Sequence, residues 1–195
     1  MKKGQYLNAI LRSQNTVFNL NDIAILWREA SGPDAHNRLK YYLDQHQLVR
    51  LRNGLYAKNQ HYEKLELATK ILTPAYISFE TVLAKSGFIF QYYRDIFVAT
   101  YLTREIQFDN FNVNFRKIKS DVLTNPLGID HQNNYAIATP ERAFLDTLYL
   151  NKDFYFDNLS TLDWDKAFEL LPIYNNKRLI KTVYQLHKQF KEDNK

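Results

Sequence analysis

The sequence predicts an α+β fold in which an N-terminal winged helix-turn-helix precedes a mixed domain of an antiparallel sheet and helices. Two patterns predict the first part: a Ser31-Gly32 break separates two apolar-periodic helices, and Asn53-Gly54 joins two short β runs. A third pattern predicts the second part, because the apolar period then switches between strand alternation and helical spacing. The expected domains are residues 1–58 and 61–195, on either side of a polar Lys58-Asn59-Gln60 joint.

The elements of the first part follow from caps, breaks and turn residues. Asn19 or Asn21 can cap a helix, Gly32 tolerates the break, and Pro33 suits a first helical position because its missing N–H is no loss there. The Asn53-Gly54 pair suits a type I′ hairpin turn. The expected elements are helices at Gln5 to Ser13, Asp22 to Glu29 and Pro33 to His46, a short strand at Val17-Phe18, and hairpin strands at Leu48 to Arg52 and Leu55 to Ala57.

The second helix of this motif is shaped to enter a DNA major groove. Its apolar spacing buries Leu39 and Leu43, and strand alternation turns Arg50 and Arg52 outward. Arginine pairs with guanine and asparagine with adenine, while lysine suits phosphate. A solvated helix face with ordinary strand alternation is the alternative interpretation. The candidate DNA-binding residues are His36, Asn37, Arg38, Lys40, Tyr41, Arg50, Arg52 and Asn53.

Charge supports this interpretation independently. Residues 1–58 contain nine basic and four acidic residues, so the whole formal excess of +5 lies there and the remainder is neutral. A small basic module usually attracts phosphates, although a solubility surface would give the same count. A possible second basic face lies on the last predicted helix, at Lys177, Arg178, Lys181 and Lys188, where a solvated face is the alternative.

Composition excludes several function classes. The absence of cysteine leaves no disulfide framework, thiol nucleophile or thiolate metal site. No apolar run is long enough for a membrane span, and the N-terminus lacks the apolar core of a signal peptide, so we expect a cytoplasmic protein without a membrane partner. No glycine-rich phosphate loop or histidine pair at metal-ligand spacing occurs. We therefore predict no metal, no cofactor and no catalytic residue.

The second part alternates between helices and strands. Ile96 to Tyr101, Glu105 to Phe108 and Phe111 to Ile118 predict an antiparallel meander. Ser78 is expected to cap a helix, and Thr139 and Pro140 to begin another. The remaining predictions are helices at His61 to Leu72, Phe79 to Ser86, Thr139-Pro140 to Leu150, Asp163 to Leu171 and Asn176 to Lys191, and short strands at Tyr76-Ile77 and Tyr135 to Ala138.

Three segments in this order resemble a known family. They are Asn53-Gly-Leu-Tyr-Ala57, Ala75-Tyr-Ile-Ser-Phe-Glu-Thr-Val-Leu83, and Tyr135-Ala-Ile-Ala-Thr-Pro-Glu-Arg-Ala-Phe-Leu-Asp-Thr-Leu-Tyr149. Their arrangement resembles the AbiEi-type antitoxins of type IV toxin–antitoxin systems. The resemblance implies an N-terminal domain that binds inverted repeats in its own promoter. It also implies a C-terminal domain that counteracts a nucleotidyltransferase-like toxin encoded beside it, without requiring direct contact.

Enzymatic chemistry has one weak candidate, Asp95 with Glu105 and Gln107, which echoes the carboxylate pattern of metal-dependent nucleases. If the flanking strands form a hairpin, Glu105 faces Thr100 and lies about 16 Å from Asp95, at ~3.3 Å per residue, too far to share an ion. The sequence therefore favours a DNA-binding antitoxin and autorepressor. A winged-helix regulator with a ligand- or protein-binding second domain is the alternative, and a nuclease is the least favoured.

Overall fold

A computed structural model describes residues 4–29, 32–91, 93–108, 110–132 and 134–193. The chain forms two compact units, Met1–Ile71 and Leu72–Lys195, and both combine helices with a sheet. The mixed α+β class is therefore confirmed. The division falls later than the joint expected at residues 59–60, because the next helix belongs to the first unit.

The first unit contains a three-stranded antiparallel sheet with the strand order β1-β3-β2. Asn19 caps the second helix: its side chain accepts from the Asp22 N–H at 2.8 Å, and the Asp22 carboxylate accepts in return from the Asn19 N–H. In the described part of this unit the elements are α1 (Gln5–Arg12), β1 (Val17–Asn19), α2 (Leu20–Trp27), α3 (Pro33–Asp44), β2 (Val49–Arg52), β3 (Leu55–Ala57) and α4 (Lys64–Ile71).

The β2–β3 hairpin is confirmed, but its turn is not type I′. Gly54 has a φ of +78°, whereas Asn53 is not among the residues with positive φ, and type I′ requires both. The strand register also shifts between Arg50 and Arg52, which pair with the adjacent residues Tyr56 and Leu55. This bulge interrupts the alternation that was expected to turn both arginines outward.

Helix α4 is held to the first unit by two charged side chains. The Glu66 carboxylate accepts hydrogen bonds from the Thr16 N–H at 2.9 Å and the Thr16 hydroxyl at 2.7 Å. Lys70 donates to the Val17 carbonyl and to Asp22, each at 2.8 Å. These bonds join residues about fifty positions apart in the sequence. They therefore place α4 in the first unit, although α4 follows the polar joint at which the second unit was expected to begin.

The second unit contains a six-stranded sheet with the strand order β6-β7-β5-β4-β9-β8. Its described elements are β4 (Ala75–Ile77), α5 (Glu80–Lys85), β5 (Ile96–Thr100), β6 (Arg104–Gln107), β7 (Asn112–Lys117), α6 (Ser120–Leu123), β8 (Ile129–Gln132), β9 (Tyr135–Ala138), α7 (Pro140–Leu150), α8 (Trp164–Leu170), a 3₁₀ turn at Leu171–Tyr174, and α9 (Lys177–Asp193).

The predicted antiparallel meander is wrong, because this sheet is mixed. β5 pairs in parallel with β7, from Ile96 opposite Val113 to Thr100 opposite Lys117, and β6 pairs antiparallel with the far side of β7. β4 and β9 form a second parallel pair. Side-chain alternation has a period of two in either orientation, so the sequence pattern could not distinguish them.

Helix α7 runs through the interior of the second unit, with every residue from Glu141 to Leu148 buried. It begins as predicted, because the Thr139 hydroxyl accepts from the Arg142 N–H and Pro140 occupies the first turn. Three of these buried residues, Glu141, Arg142 and Asp146, are charged, and the last two have no exposed surface. Their surroundings are described below.

Candidate nucleic-acid interface and buried polar network

Helix α3 presents a polar face to solvent. His36, Asn37, Lys40 and Tyr41 are exposed, whereas Ala35, Leu39 and Tyr42 on the other side are buried in the core of the first unit. Within the described residues, the side chains of His36, Asn37 and Lys40 make no hydrogen bond or ion pair. Their donors and acceptors are therefore available to a ligand.

Arg38 does not belong to this face, and the expectation that it points outward is wrong. Its Nη1 lies 2.5 Å from Glu29 Oε2, and its guanidinium lies 3.8 Å from the centroid of the Tyr6 ring. Its side chain is 27% exposed. The sequence held a signal for this position: Arg38 lies three residues after Ala35 and four before Tyr42, on the buried stripe.

The Arg38 cluster joins α1, the end of α2 and α3. The Tyr6 hydroxyl donates to Glu29 Oε1 at 2.6 Å, and Trp27 Nε1 donates to the Tyr6 carbonyl at 2.8 Å. The Tyr6 hydrogen bond, together with Arg38, lowers the pKa of the Glu29 carboxyl, so this group is ionised at neutral pH. Arg38 is therefore engaged with Glu29 and the Tyr6 ring inside the first unit, where it supports α3.

The two hairpin arginines differ in exposure. Arg50 is exposed, and its Nη2 donates to Asn53 Oδ1 at 2.8 Å, so these two candidate residues lie together at the turn. Arg52 is half-buried after the register shift, and its side chain has no polar partner in the described chain. The hairpin therefore presents one exposed and one half-buried guanidinium close to Asn53.

The basic excess persists within the structural boundary. Residues 1–71 contain eleven basic and six acidic residues, again a net +5. Several of these cations are engaged inside the unit: Arg38 with Glu29, Lys58 with the Ser13 carbonyl, and Lys70 with Asp22. Charge counting alone does not separate such structural cations from those that remain available.

The second unit contains a buried network around Arg142, whose side chain is fully buried. Its Nε lies 3.3 Å from Asp146 Oδ1, one turn along α7. Its Nη2 donates to the Tyr76 hydroxyl at 3.1 Å and the Val122 carbonyl at 2.6 Å, and its Nη1 donates to the Leu127 carbonyl at 2.7 Å. Arg142 and Asp146 thus form an ion pair within α7.

Asp146 is the second centre of this network. Its Oδ2 accepts from the Ser78 hydroxyl at 2.8 Å and the Tyr76 hydroxyl at 3.0 Å, and its Oδ1 accepts from the Tyr174 hydroxyl at 2.7 Å. Burial raises the pKa of both tyrosines well above its usual value, which keeps them protonated as donors. Burial alone would lower the pKa of Arg142, but Tyr174, Asp146 and Tyr76 raise it above its ordinary value.

The prediction that Ser78 caps a helix is wrong. Phe79 occupies the N-cap of α5 with a φ of +54°, and no side chain caps that end. The Ser78 hydroxyl instead donates to Asp146, 68 residues away. Tyr76 and Tyr174, which complete the network, carried no signal in the sequence beyond apolar burial.

The network is a structural feature, since its charged groups have hydrogen-bonding partners and no access to solvent. Arg142 and Asp146 are each 0% exposed. Buried charges persist only when they are paired and hydrogen-bonded, as here. The residues that carry the resemblance in this unit therefore connect β4, α7 and the 3₁₀ turn.

The acidic pair considered for metal chemistry is arranged differently from the expectation. β6 pairs with β7, so Glu105 lies opposite Asn114, whose Nδ2 donates to Asp95 Oδ2 at 2.9 Å. The β5–β6 hairpin that the separation of about 16 Å assumed does not form, because β7 lies between these two strands. Gln107 pairs one step further along, with Asn112. Within the described residues, no group of three or more histidine or acidic side chains is placed to hold a metal ion.

The possible second basic face lies along the exposed side of α9. Lys177, Arg178, Lys181 and Lys188 are all exposed, while Leu179 and Val183 are buried. Arg178 donates to the Tyr149 carbonyl at 2.6 Å, and Lys188 lies 3.8 Å from Glu192. Lys177 and Lys181 have no such partner among the described residues.

No protein-family model matches this chain, and no curated protein matches it either. Among the residues that the structure describes, no helix is both long and apolar enough to cross a membrane.

Proposed function

We propose that the first unit is a winged helix-turn-helix that binds double-stranded DNA, and that the protein is an antitoxin and transcriptional autorepressor. The observation that carries the DNA-binding part is the unpartnered polar face of α3 in the same small basic unit as the β2–β3 hairpin. A helix and a two-stranded ribbon of this size fit the grooves of duplex DNA.

The proposed roles follow from side-chain chemistry. His36 and Asn37, in the first turns of α3, reach base edges, because the N-terminal residues of a recognition helix enter the groove. Lys40 contacts phosphate beside them. Arg50 and Asn53 at the hairpin turn approach the backbone, where contacts position the protein without reading sequence.

The antitoxin part rests on the resemblance to the AbiEi-type antitoxins. The motif residues Ser78, Arg142 and Asp146 are buried in a complete network, so they support the second unit and do not themselves contact a toxin or nucleic acid. The neutralising surface is therefore formed by other residues of the second unit. The toxin it counteracts is a nucleotidyltransferase-like protein encoded beside it.

Two measurements test the two parts separately. A gel-shift titration with the protein's own promoter, against a scrambled duplex of equal length, should show preferential and salt-sensitive binding. Co-expression with the neighbouring toxin gene should restore growth of arrested cells. Equal affinity for both duplexes at all salt concentrations contradicts the repressor assignment, and unrelieved arrest contradicts the antitoxin assignment.

One observation favours the alternative of a regulator with a ligand-binding second domain. A cleft of about 330 Å³ opens between α5 and the start of β5, and it includes Glu80, Lys85, Tyr93, Arg94 and Asp95. A regulator of this kind would bind a small polar molecule there and change its DNA affinity. The regulator alternative is favoured by two results together: Lys85→Ala changes DNA affinity measured in the presence of cell metabolites, and co-expression with the neighbouring toxin gene does not restore growth.

A further inference from the structure

The first unit has a second polar surface that the DNA-binding assignment of α3 and the hairpin does not use. It is a groove of about 600 Å³ between α1 and the end of α2, lined by Gln5, Asn8, Ala9, Arg12, Leu26 and Arg28. Four of its side chains are polar, two of them guanidinium groups. None of the described residues that line the groove is acidic.

The two arginines of this groove are available for a ligand. Arg12 and Arg28 are exposed, and neither makes a hydrogen bond or ion pair through its side chain within the described residues. This separates them from Arg38, Lys58 and Lys70 of the same unit, which are all engaged. Two unpartnered guanidinium groups in one acid-free groove favour a phosphate ligand, because the planar fork can bind two phosphate oxygens.

Arg28 also occupies an unfavourable backbone position. It is the C-cap of α2 with φ +55° and ψ +40°, the left-handed conformation in which glycine is strongly favoured. A side chain at this position strains the backbone, and such strain is typical of functional positions. The guanidinium of Arg28 therefore has a use that glycine could not supply.

The position of the groove indicates which phosphates it meets. Glu29, the residue after Arg28, is bonded to Tyr6 of α1 and to Arg38 of α3, so Arg28 lies close to where α1, α2 and α3 meet. The first helix of a helix-turn-helix crosses the DNA backbone when the recognition helix enters the groove.

We propose that the Arg12–Arg28 groove binds backbone phosphates of the same duplex that α3 contacts. This inference rests on the proposed DNA-binding function and extends the contact surface to α1 and α2. The groove supplies affinity without sequence preference, because phosphate contacts do not distinguish bases.

The test compares full-length variants by DNA affinity at several salt concentrations. Arg12→Gln with Arg28→Gln should reduce the slope of log affinity against log salt by about 1.8, as expected for two lost phosphate contacts. Affinity for promoter and scrambled duplexes should fall equally, by roughly tenfold or more at 0.1 M salt. The matched control, Lys117→Gln with Lys152→Gln, removes two exposed charges from the second unit and should leave the slope unchanged.

A second variant separates the ligand role from folding. Arg28→Gly suits the left-handed backbone, so it should keep or raise the melting temperature while reducing the slope by about 0.9. If both groove variants keep the DNA affinity and the salt slope of the wild-type protein, the inference is overturned. This is the result expected if the groove binds an acidic protein and not DNA. If Lys40→Gln still weakens binding in that case, the DNA-binding function stands. If the wild-type protein binds no DNA, both proposals fail.

Discussion

The two units use their polar side chains in opposite ways. The first unit leaves the His36, Asn37 and Lys40 side chains exposed, without a hydrogen bond or ion pair to any described residue, and it has a net charge of +5 within residues 1–71. The neutral second unit buries Arg142 and Asp146 completely and surrounds them with donors and acceptors. The motif that contains Arg142 and Asp146 therefore marks an interior network in the second unit. His36, Asn37 and Lys40, which are available for binding in the first unit, belong to none of the motif segments.

The two arginine–carboxylate pairs show the same contrast on a smaller scale. Arg38 and Glu29 retain side-chain exposures of 27% and 29%, whereas Arg142 and Asp146 have none. An exposed pair is screened by water and contributes little, but a buried pair is costly to break. Substitutions of these pairs should therefore have a larger effect on stability in the second unit than in the first.

The largest effect is expected from Arg142→Ala. Removal of one partner leaves Asp146 buried and uncompensated, which should destabilise the second unit by about 3–5 kcal/mol. The chain has two tryptophans, Trp27 in the first unit and Trp164 in the second. Fluorotryptophan labelling and ¹⁹F NMR during urea unfolding therefore follow each unit separately.

The control for this prediction replaces both partners. Arg142→Met with Asp146→Leu removes the charges together and should cost less than Arg142→Ala, because no buried ion remains. The Trp27 signal should unfold at the wild-type urea concentration in both variants. A change below about 1 kcal/mol in Arg142→Ala would contradict a buried, interdependent network.

The next effect compares two glycines with nearly equal backbone angles. Gly128 and Gly87 have φ values of +72° and +73°, but a Cβ at Gly128 would lie 3.0 Å from Arg142 Cβ and 3.0 Å from Leu170 Cδ1, whereas a Cβ at Gly87 meets open space. Gly87→Ala should cost about 1 kcal/mol from backbone strain. Gly128→Ala should cost a further ~1–3 kcal/mol from overpacking. Equal costs in urea unfolding would show that the surroundings of Arg142 adapt easily.

A smaller effect concerns Glu29, and it depends on pH. Its folded-state pKa is lowered, so its contribution to stability is fully present above the ordinary value of 4.5 and is lost as the pH falls through the folded value. Glu29→Gln should therefore lower the melting temperature of the first unit at pH 7, and the difference from wild type should shrink below pH 4.5. A difference that is constant from pH 7 to pH 3 would rule out a role for the ionised carboxylate.

Local features of the fold were predictable from the sequence, whereas long-range pairing was not. Caps and turn residues correctly indicated the starts of α2, α3 and α7 and the β2–β3 hairpin, because each depends on a few adjacent residues. The order of β5, β6 and β7 depends on crossovers that alternation does not encode. The local sequence favoured Ser78 as a helix cap. It could not show that the Ser78 hydroxyl bonds to Asp146, because Asp146 is 68 residues away.

The candidate site was predictable in part for the same reason. The helical period correctly placed Asn37, Lys40 and Tyr41 on the exposed side of α3. Arg38 was predicted to lie on that side although its spacing from Ala35 and Tyr42 places it on the buried stripe; its side chain lies over the Tyr6 ring and its charge pairs with Glu29. Arg12 and Arg28 were not predicted as candidates, since only the second helix of the motif and the hairpin were expected to contact DNA.

The central claim, that available cations of the first unit bind DNA, is tested most directly by one set of salt titrations on the full chain. Lys40→Gln with Arg50→Gln should reduce the slope of log affinity against log salt by about 1.8 for promoter DNA. Lys177→Gln with Lys181→Gln removes the same charge from exposed, unpartnered lysines of α9 and should leave the slope at its wild-type value. An unchanged slope in the first pair together with a reduced slope in the second would contradict the claim and assign DNA binding to the second unit.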